Sequence, residues 1–199
     1  MATLELYFDL RSPYTYMATT KIAGIAERTG SAVTYTPLRI LELMKLTGNR
    51  PTNMESPNKN RYGKIDLARW AARYGVPFSP HPKLRDFDYA ELNRGVIVAS
   101  EQGRAQQYVH GVMRAIFGEP VDLTDRGTLI SLLDDLGFAG GELLEAAAGP
   151  RYVEQLERNA HVAAERGAFG SPTFYVGEQM FFGNDRLDFV EQTLREARR

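Results

Sequence analysis

The chain contains no cysteine, which excludes a disulfide framework, a zinc–thiolate site and a cysteine nucleophile. Its formal net charge of −1 gives no basic surplus, so nucleic acid is not an expected partner. No apolar run approaches the roughly 18 residues of a membrane-spanning helix, and the N-terminal residues lack the pattern of a signal peptide. The three histidines lie far apart in sequence and show no metal-ligand spacing. These absences predict a cytoplasmic protein without a metal, a nucleic-acid partner or a membrane partner.

The N-terminal pattern is that of a strand, a helix and a second strand. Residues 3–8 place apolar side chains at every second position, which predicts a strand. Ser12 and Pro13 then form the usual pair for an N-cap and a first helical position, and the helical spacing ends at Gly30. Residues 32–38 are rich in β-branched and aromatic side chains and predict a strand. Such a β-α-β unit is normally parallel with a right-handed crossover.

The middle of the chain predicts helices and no convincing strand. A short helix near 40–46 is followed by a polar loop from Thr47 to Asn60 and a helix from Arg61 to Tyr74. Beyond a proline-dense connector, helices are expected near 86–101, 104–117, 125–136, 141–148 and 151–167.

The C-terminal part returns to β structure. Residues 173–176 and 179–182 flank Gly177 and Glu178, which predicts a hairpin with a two-residue turn. A helix follows, and Asp185 with Asp188 has the spacing of a capping box at its start.

The two β segments must share one sheet, because a lone hairpin is not stable in water. The element order, β-α-β followed by β-β-α, is that of a thioredoxin-like α/β fold. The predicted thioredoxin-like domain is therefore discontinuous, covering residues 1–40 and 165–199. The predicted all-helical insertion domain covers residues 41–164.

Ser12 is the first candidate functional residue, because it stands where a strand ends and a helix begins. Free N–H groups and the helix dipole favour an anion there, and a thiolate is such an anion. Since the chain has no thiol of its own, a ligand would have to bring one. The alternative is that Ser12 is only an N-cap.

Two further segments carry candidate residues. Ser171 precedes Pro172 at the start of a strand, where a cis proline would leave the Ser171 backbone free to pair with an extended peptide, and a trans proline is the alternative. Asn184 and Asp185 precede the last helix, where a carboxylate can bind a ligand ammonium group or cap its own helix.

Four segments together resemble the 2-hydroxychromene-2-carboxylate isomerases and their relatives, the kappa-class glutathione transferases. The first three are FDLRSPYTY at 8–16, FGSPTFYV at 169–176 and FFGNDRL at 181–187. The fourth, DLARWA at 66–71, resembles part of the family's helical domain. The resemblance extends from about residue 4 to 195.

The resemblance implies a DsbA-like fold and glutathione as the cofactor. It assigns Ser12 to the glutathione sulfur, the Ser171 backbone to the cysteinyl part, and Asn184 and Asp185 to the γ-glutamyl end. Asn53, from the loop of the helical domain, and Tyr14 are also expected to contact glutathione. Relatives are usually dimers, so a homodimer is expected.

The activity implied by the resemblance is a glutathione-dependent isomerisation of 2-hydroxychromene-2-carboxylate or a related aromatic keto acid during degradation of aromatic compounds. Thiolate addition would turn a double bond into a single bond, which rotates before the thiolate leaves. Tyr62 and Trp70, with Tyr14, are candidates for a pocket around a flat aromatic acid. Arg11 and Lys59 are alternative candidates for the cation near its carboxylate. Arg11 departs from the apolar or small residue expected beside the family's serine.

Two other functions stay open from the sequence. A glutathione transferase of the kappa type would use the same site and keep the adduct. A glutathione-binding protein without turnover would keep the scaffold alone.

Overall fold

The computed structural model describes residues 2–51 and 55–197. In this part of the chain, four strands form one mixed sheet in the order β2-β1-β3-β4. They are β1 (Thr3–Phe8), β2 (Ala32–Pro37), β3 (Thr173–Val176) and β4 (Gln179–Phe182). Strand β1 pairs in parallel with β2 and antiparallel with β3, which forms a hairpin with β4. The predicted sharing of one sheet by sequence-distant segments is confirmed.

Nine α-helices lie within the described residues. They are α1 (Pro13–Thr29), α2 (Ile40–Thr47), α3 (Pro57–Tyr74), α4 (Tyr89–Glu101), α5 (Ala105–Met113), α6 (Arg126–Asp135), α7 (Gly140–Ala147), α8 (Pro150–Glu165) and α9 (Leu187–Glu196). A π-helical turn continues α5 from Arg114 to Gly118. The predicted α/β fold with a helical block between its two β segments is confirmed.

One predicted boundary is wrong: α3 begins at Pro57 rather than at Arg61. Ser56 caps this helix by accepting a hydrogen bond from Lys59 N at 3.2 Å, and Pro57 occupies its first turn. This is the same Ser-Pro signal that begins α1. The polar composition of the segment masked this signal. Because the helix begins at Pro57, Lys59 lies on a helix rather than in a loop.

Both faces of the sheet are covered because side chains alternate along β1. Leu4, Leu6 and Phe8 are fully buried in the larger core, which also contains α1 and α9 side chains. Tyr7 points to the other face and packs with buried residues of α2 and α8. These residues are Ile40, Leu43, Ala160 and Ala163. The boundaries 41 and 164 of the insertion stay a prediction.

No helix within the described residues is long and apolar enough to cross a membrane.

Candidate functional site

The site is built around two serines that are distant in sequence. Ser12 caps α1 by accepting a hydrogen bond from Thr15 N at 3.3 Å. The same hydroxyl donates to the carbonyl oxygen of Ser171 at 3.1 Å. The Ser171–Pro172 peptide bond is cis, which resolves the alternative that the sequence left open. The Ser12 hydroxyl therefore caps α1 and contacts the cis-proline loop at the same time.

The loop that carries Ser12 is held by a buried carboxylate that sequence analysis missed. Asp9 is 2% exposed and accepts hydrogen bonds from Arg11 N, Ile40 N and Asn93 Nδ2, each at 2.9 Å. Burial raises its pKa above the ordinary 3.8, and these hydrogen bonds oppose that rise. The signals of its role were its position directly after a buried strand and its place in the segment 8–16 that resembles the family.

Asn93 completes this arrangement from α4. Its side chain is fully buried, donates to Asp9 and accepts from Leu10 N at 3.1 Å. Asp9 N in turn donates to Ser171 Oγ at 3.0 Å, and Ser12 N donates to Asp9 O at 3.0 Å. The backbone N–H groups of residues 9–12 are therefore all satisfied within the protein. No local pattern in the sequence could have identified Asn93, because its partners lie more than 50 residues away.

Three other donors at the site have no hydrogen-bond partner in the part of the chain that the structure describes. They are the backbone N–H groups of Tyr14 and Ser171, and the Nδ2 of Asn184. Asn184 is only 3% exposed, and a buried amide without a partner costs free energy. Donors left open in this way are suited to a ligand that carries acceptors.

Asn184 is placed by contacts with its neighbours on both sides of the site. Its carbonyl oxygen accepts a hydrogen bond from the Tyr74 hydroxyl of α3 at 3.0 Å. Gly183 N donates to Pro172 O at 2.9 Å, which fixes this turn beside the cis-proline loop. Asp185 is exposed and pairs with the side chain of Arg186.

The predicted capping box at Asp185 and Asp188 does not form. Residues Asn184–Arg186 are a 3₁₀ turn, α9 begins at Leu187, and its N-cap Arg186 makes no side-chain capping bond. The Asp185 carboxylate is thus not used by its own helix.

Helix α3 forms the other side of the site. The Tyr14 hydroxyl donates to Asp66 Oδ2 at 2.9 Å. Burial raises the pKa of Tyr14, and the charges of Asp66 and Asp185 raise it further. Tyr62 is 58% exposed at the start of this helix. Trp70 is half-buried and packs on Tyr74 with ring centroids 5.2 Å apart.

The two candidate cations differ in their surroundings. Arg11 is exposed beside Ser12, and its guanidinium lies 4.5 Å from the centroid of the Tyr89 ring. Lys59 lies on the first turn of α3 and is paired with Glu55. Asn53 lies outside the described residues.

The arrangement combines a helix N-terminus, a hydroxyl donor and, at Ser171, a free backbone N–H group. Such a site can hold an anion at Ser12 and an extended peptide along Ser171. A carboxylate at Asp185 can receive an ammonium group, and the Asn184 amide can donate to a carboxylate.

Comparison with known proteins gives concordant matches along nearly the whole chain. The sequence model of the DSBA-like thioredoxin domain matches residues 3–195. The 2-hydroxychromene-2-carboxylate isomerase of Sphingobium xenophagum is 35% identical over 193 residues, which are 96% of this chain and 97% of the relative. The glutathione S-transferase kappa 1 of Homo sapiens is 26% identical, with 98% and 91% of the two chains covered. A solved 2-hydroxychromene-2-carboxylate isomerase superposes with a TM-score of 0.87 at 27% identity and covers 98% and 95% of the two chains.

Proposed function

Because this chain belongs to the DSBA-like thioredoxin domain family, and its relatives are isomerases and kappa-class transferases, we propose that it is a glutathione-dependent isomerase. Its proposed substrate is 2-hydroxychromene-2-carboxylate or a related aromatic keto acid from aromatic-compound degradation. We also propose that the protein is cytoplasmic and forms a homodimer.

One observation carries the proposal. The Ser12 hydroxyl and the Ser171 backbone meet at 3.1 Å, and the Ser171 N–H has no partner among the described residues. This pairing suits a thiol-bearing peptide, because the backbone can bind the peptide while the hydroxyl and the α1 N-terminus stabilise its sulfur as a thiolate. The chain has no cysteine, so the thiol belongs to the ligand.

The remaining groups fit glutathione. In this proposal the Ser171 backbone binds the cysteinyl part, and the Asn184 amide binds the γ-glutamyl carboxylate. Asp185 receives the γ-glutamyl ammonium group. Tyr14, at the first turn of α1, supplies a free backbone N–H near the sulfur. Asn53 is proposed to contribute from its loop.

Glutathione, when bound, supplies the thiolate that adds reversibly to a conjugated double bond and so permits rotation about it. The chain's own part begins with the proton of Ser12, which is directed to the Ser171 carbonyl oxygen. A ligand N–H that occupies this carbonyl frees the Ser12 proton to turn toward the sulfur. The Asp9–Asn93 contacts keep the loop in place while the proton changes partner.

The test is to follow interconversion of 2-hydroxychromene-2-carboxylate and its open trans isomer, with and without glutathione. We expect equilibration that needs glutathione and does not consume it. Consumption of glutathione would support a kappa-type transferase, which the human relative favours as the second candidate. Binding of glutathione without either reaction would leave a non-catalytic glutathione-binding protein.

Gly183→Ala is expected to weaken glutathione binding, because it disturbs the proposed γ-glutamyl contacts. Gly183 has a φ of +94°, and a Cβ there would lie 2.6 Å from Asp185 Oδ1. Such a backbone conformation costs a non-glycine residue about 1–3 kcal/mol, and the Asp185 side chain would have to move. Calorimetric titration with glutathione and urea unfolding would measure both effects.

Gly177→Ala is the matched control, because Gly177 also has a positive φ, +59°, but nothing lies within 4 Å of the added Cβ. It should cost about 1 kcal/mol in stability and leave glutathione affinity unchanged. Equal affinities in wild type and Gly183→Ala would remove Asp185 from the proposed site.

A further inference from the structure

We propose that Arg11, held against the ring of Tyr89, binds the carboxylate of the substrate and makes this enzyme favour anionic electrophiles over neutral ones. The inference rests on the proposed function and names the residue that determines this preference.

The guanidinium of Arg11 has a fixed place. Its Cζ lies 4.5 Å from the Tyr89 ring centroid, within the distance of a cation–π contact. Tyr89 is 4% exposed and packs against Phe87, so the ring beneath the guanidinium belongs to the core. The backbone N–H of Arg11 is bound to Asp9 at 2.9 Å. Backbone and side chain are thus both anchored next to Ser12.

The charge of Arg11 has no carboxylate partner among the described residues within salt-bridge distance. The charge of Asp9 does not account for an arginine at this position. Burial and the hydrogen bonds from Ile40 N, Arg11 N and Asn93 affect the pKa of Asp9 more than the charge of Arg11 does. The guanidinium is exposed, and none of its N–H groups has a side-chain or backbone acceptor among the described residues, so they are available for a contact with a carboxylate.

Three other cations around the site already have partners. Lys59 pairs with Glu55, Arg186 pairs with Asp185, and Lys21 donates to Tyr74 O at 2.8 Å. Arg39, at the same edge of the sheet, is exposed and has no ring beneath it in the described structure. Arg11 combines an anchored guanidinium, an open N–H edge and a position adjacent to the proposed thiolate-binding serine.

This placement has a chemical consequence for the substrate. A 2-oxo acid carries its carboxylate two bonds from the start of the conjugated double bond, so a cation beside Ser12 can hold the acid near the sulfur. The same cation stabilises the negative charge that develops on the neighbouring carbonyl oxygen. A neutral electrophile gains neither contact, so Arg11 favours the acids over the neutral acceptors of a general transferase.

The test uses 2-oxo-4-phenylbutanoate, a saturated analogue that has the carboxylate but no double bond to react. Its affinity for the glutathione-saturated protein is measured by calorimetry in wild type, Arg11→Gln and Arg39→Gln, and glutathione affinity is measured separately in each. We expect Arg11→Gln to weaken binding of the acid by about 10- to 100-fold, the effect of one hydrogen-bonded ion pair. Glutathione affinity should stay unchanged in both variants, and Arg39→Gln should leave the acid affinity near that of wild type.

Three results would overturn the inference. They are an unchanged acid affinity in Arg11→Gln, an equal loss in Arg39→Gln, and a loss of glutathione affinity in place of acid affinity. The last would assign Arg11 to a carboxylate of glutathione. Failure of the wild type to bind glutathione at all would instead reject the proposed function, so the two failures are distinguishable.

Tyr89 is a positioning residue in this proposal, and its variants supply a second test. Tyr89→Leu removes the aromatic face and should show part of the loss in acid affinity expected for Arg11→Gln. Tyr89→Phe keeps the face and should bind the acid about as tightly as wild type. Urea unfolding of both variants separates this effect from a general loss of stability. A Tyr89→Phe variant as weak as Tyr89→Leu would contradict the role of the ring.

Discussion

Ser12→Ala is expected to lower the glutathione-dependent isomerisation rate by about 10- to 100-fold, because one hydrogen bond to an anion contributes about 1.5–3 kcal/mol. The Ser12 hydroxyl lies 3.1 Å from the Ser171 carbonyl oxygen, where the peptide part of glutathione is proposed to bind. Without the hydroxyl, only the helix N-terminus and free N–H groups stabilise the thiolate. The pKa of the bound thiol should therefore rise toward the ~8.5 of a free thiol. Rates measured as a function of pH would show both changes.

The control for Ser12→Ala must separate chemistry from capping, because Ser12 also accepts from Thr15 N at 3.3 Å. Loss of an N-cap costs about 1 kcal/mol of stability. Asp125→Ala removes a cap of α6, where Asp125 accepts from Thr128 N at 2.7 Å, and should cost similar stability while keeping the rate. Ser12→Thr should retain most of the rate because it retains the hydroxyl. A wild-type rate in Ser12→Ala would reject Ser12 as a catalytic residue.

Asn93→Ala is expected to lower the free energy of unfolding by about 3–5 kcal/mol, because it leaves one buried N–H group without an acceptor and removes a hydrogen bond to a buried carboxylate. The substitution removes the donor to Asp9 Oδ1 at 2.9 Å and the acceptor of Leu10 N at 3.1 Å. Both groups are buried, so neither gains water in exchange. Leu10 N is left without an acceptor, and Asp9 Oδ1 keeps only the hydrogen bond from Arg11 N. Urea denaturation would measure the loss.

Asn159→Ala is the matched control for this substitution. Asn159 is 7% exposed, donates to Pro37 O at 2.7 Å and accepts from Gln155 Nε2 of its own helix at 2.8 Å, so both of its partners are neutral. The expected loss is about 1–2 kcal/mol, as for neutral partners.

The two asparagine variants should also differ in their dependence on pH. Burial raises the pKa of Asp9 above 3.8, and the Asn93 hydrogen bond lowers it. In Asn93→Ala this pKa rises further, so the folded variant takes up a proton at a higher pH than wild type does. Its stability deficit should therefore shrink as the pH falls from neutral through that pKa toward 3.8. Equal deficits at neutral and mildly acidic pH would contradict a charged Asp9 at this position.

Much of the fold could be predicted because its signals are local. Alternating apolar residues predicted β1, and the Ser12–Pro13 pair predicted the start of α1. The order of strands and helices then limited the sheet to one thioredoxin-like arrangement. The start of α3 at Pro57 was missed because polar composition outweighed the same capping signal at Ser56.

The candidate site was only partly accessible from sequence. Ser12, Ser171 and Asn184 belong to short motifs at the ends of elements, and the structure brings their segments together. Asn93 and Tyr89 lie on a helix of the insertion, where nothing local distinguishes them from core residues. Their roles depend on contacts with Asp9 and Arg11, which exist only once α4 packs against the loop after β1.

The central claim, that this chain holds glutathione as its thiolate, is tested most directly by calorimetric titration with glutathione near neutral pH in buffers of different ionisation enthalpy. S-methylglutathione, which has no ionisable thiol, is the matched ligand. We predict binding of both, with a proton released only by glutathione. Absence of binding at millimolar glutathione, or binding of glutathione without proton release, would contradict the account.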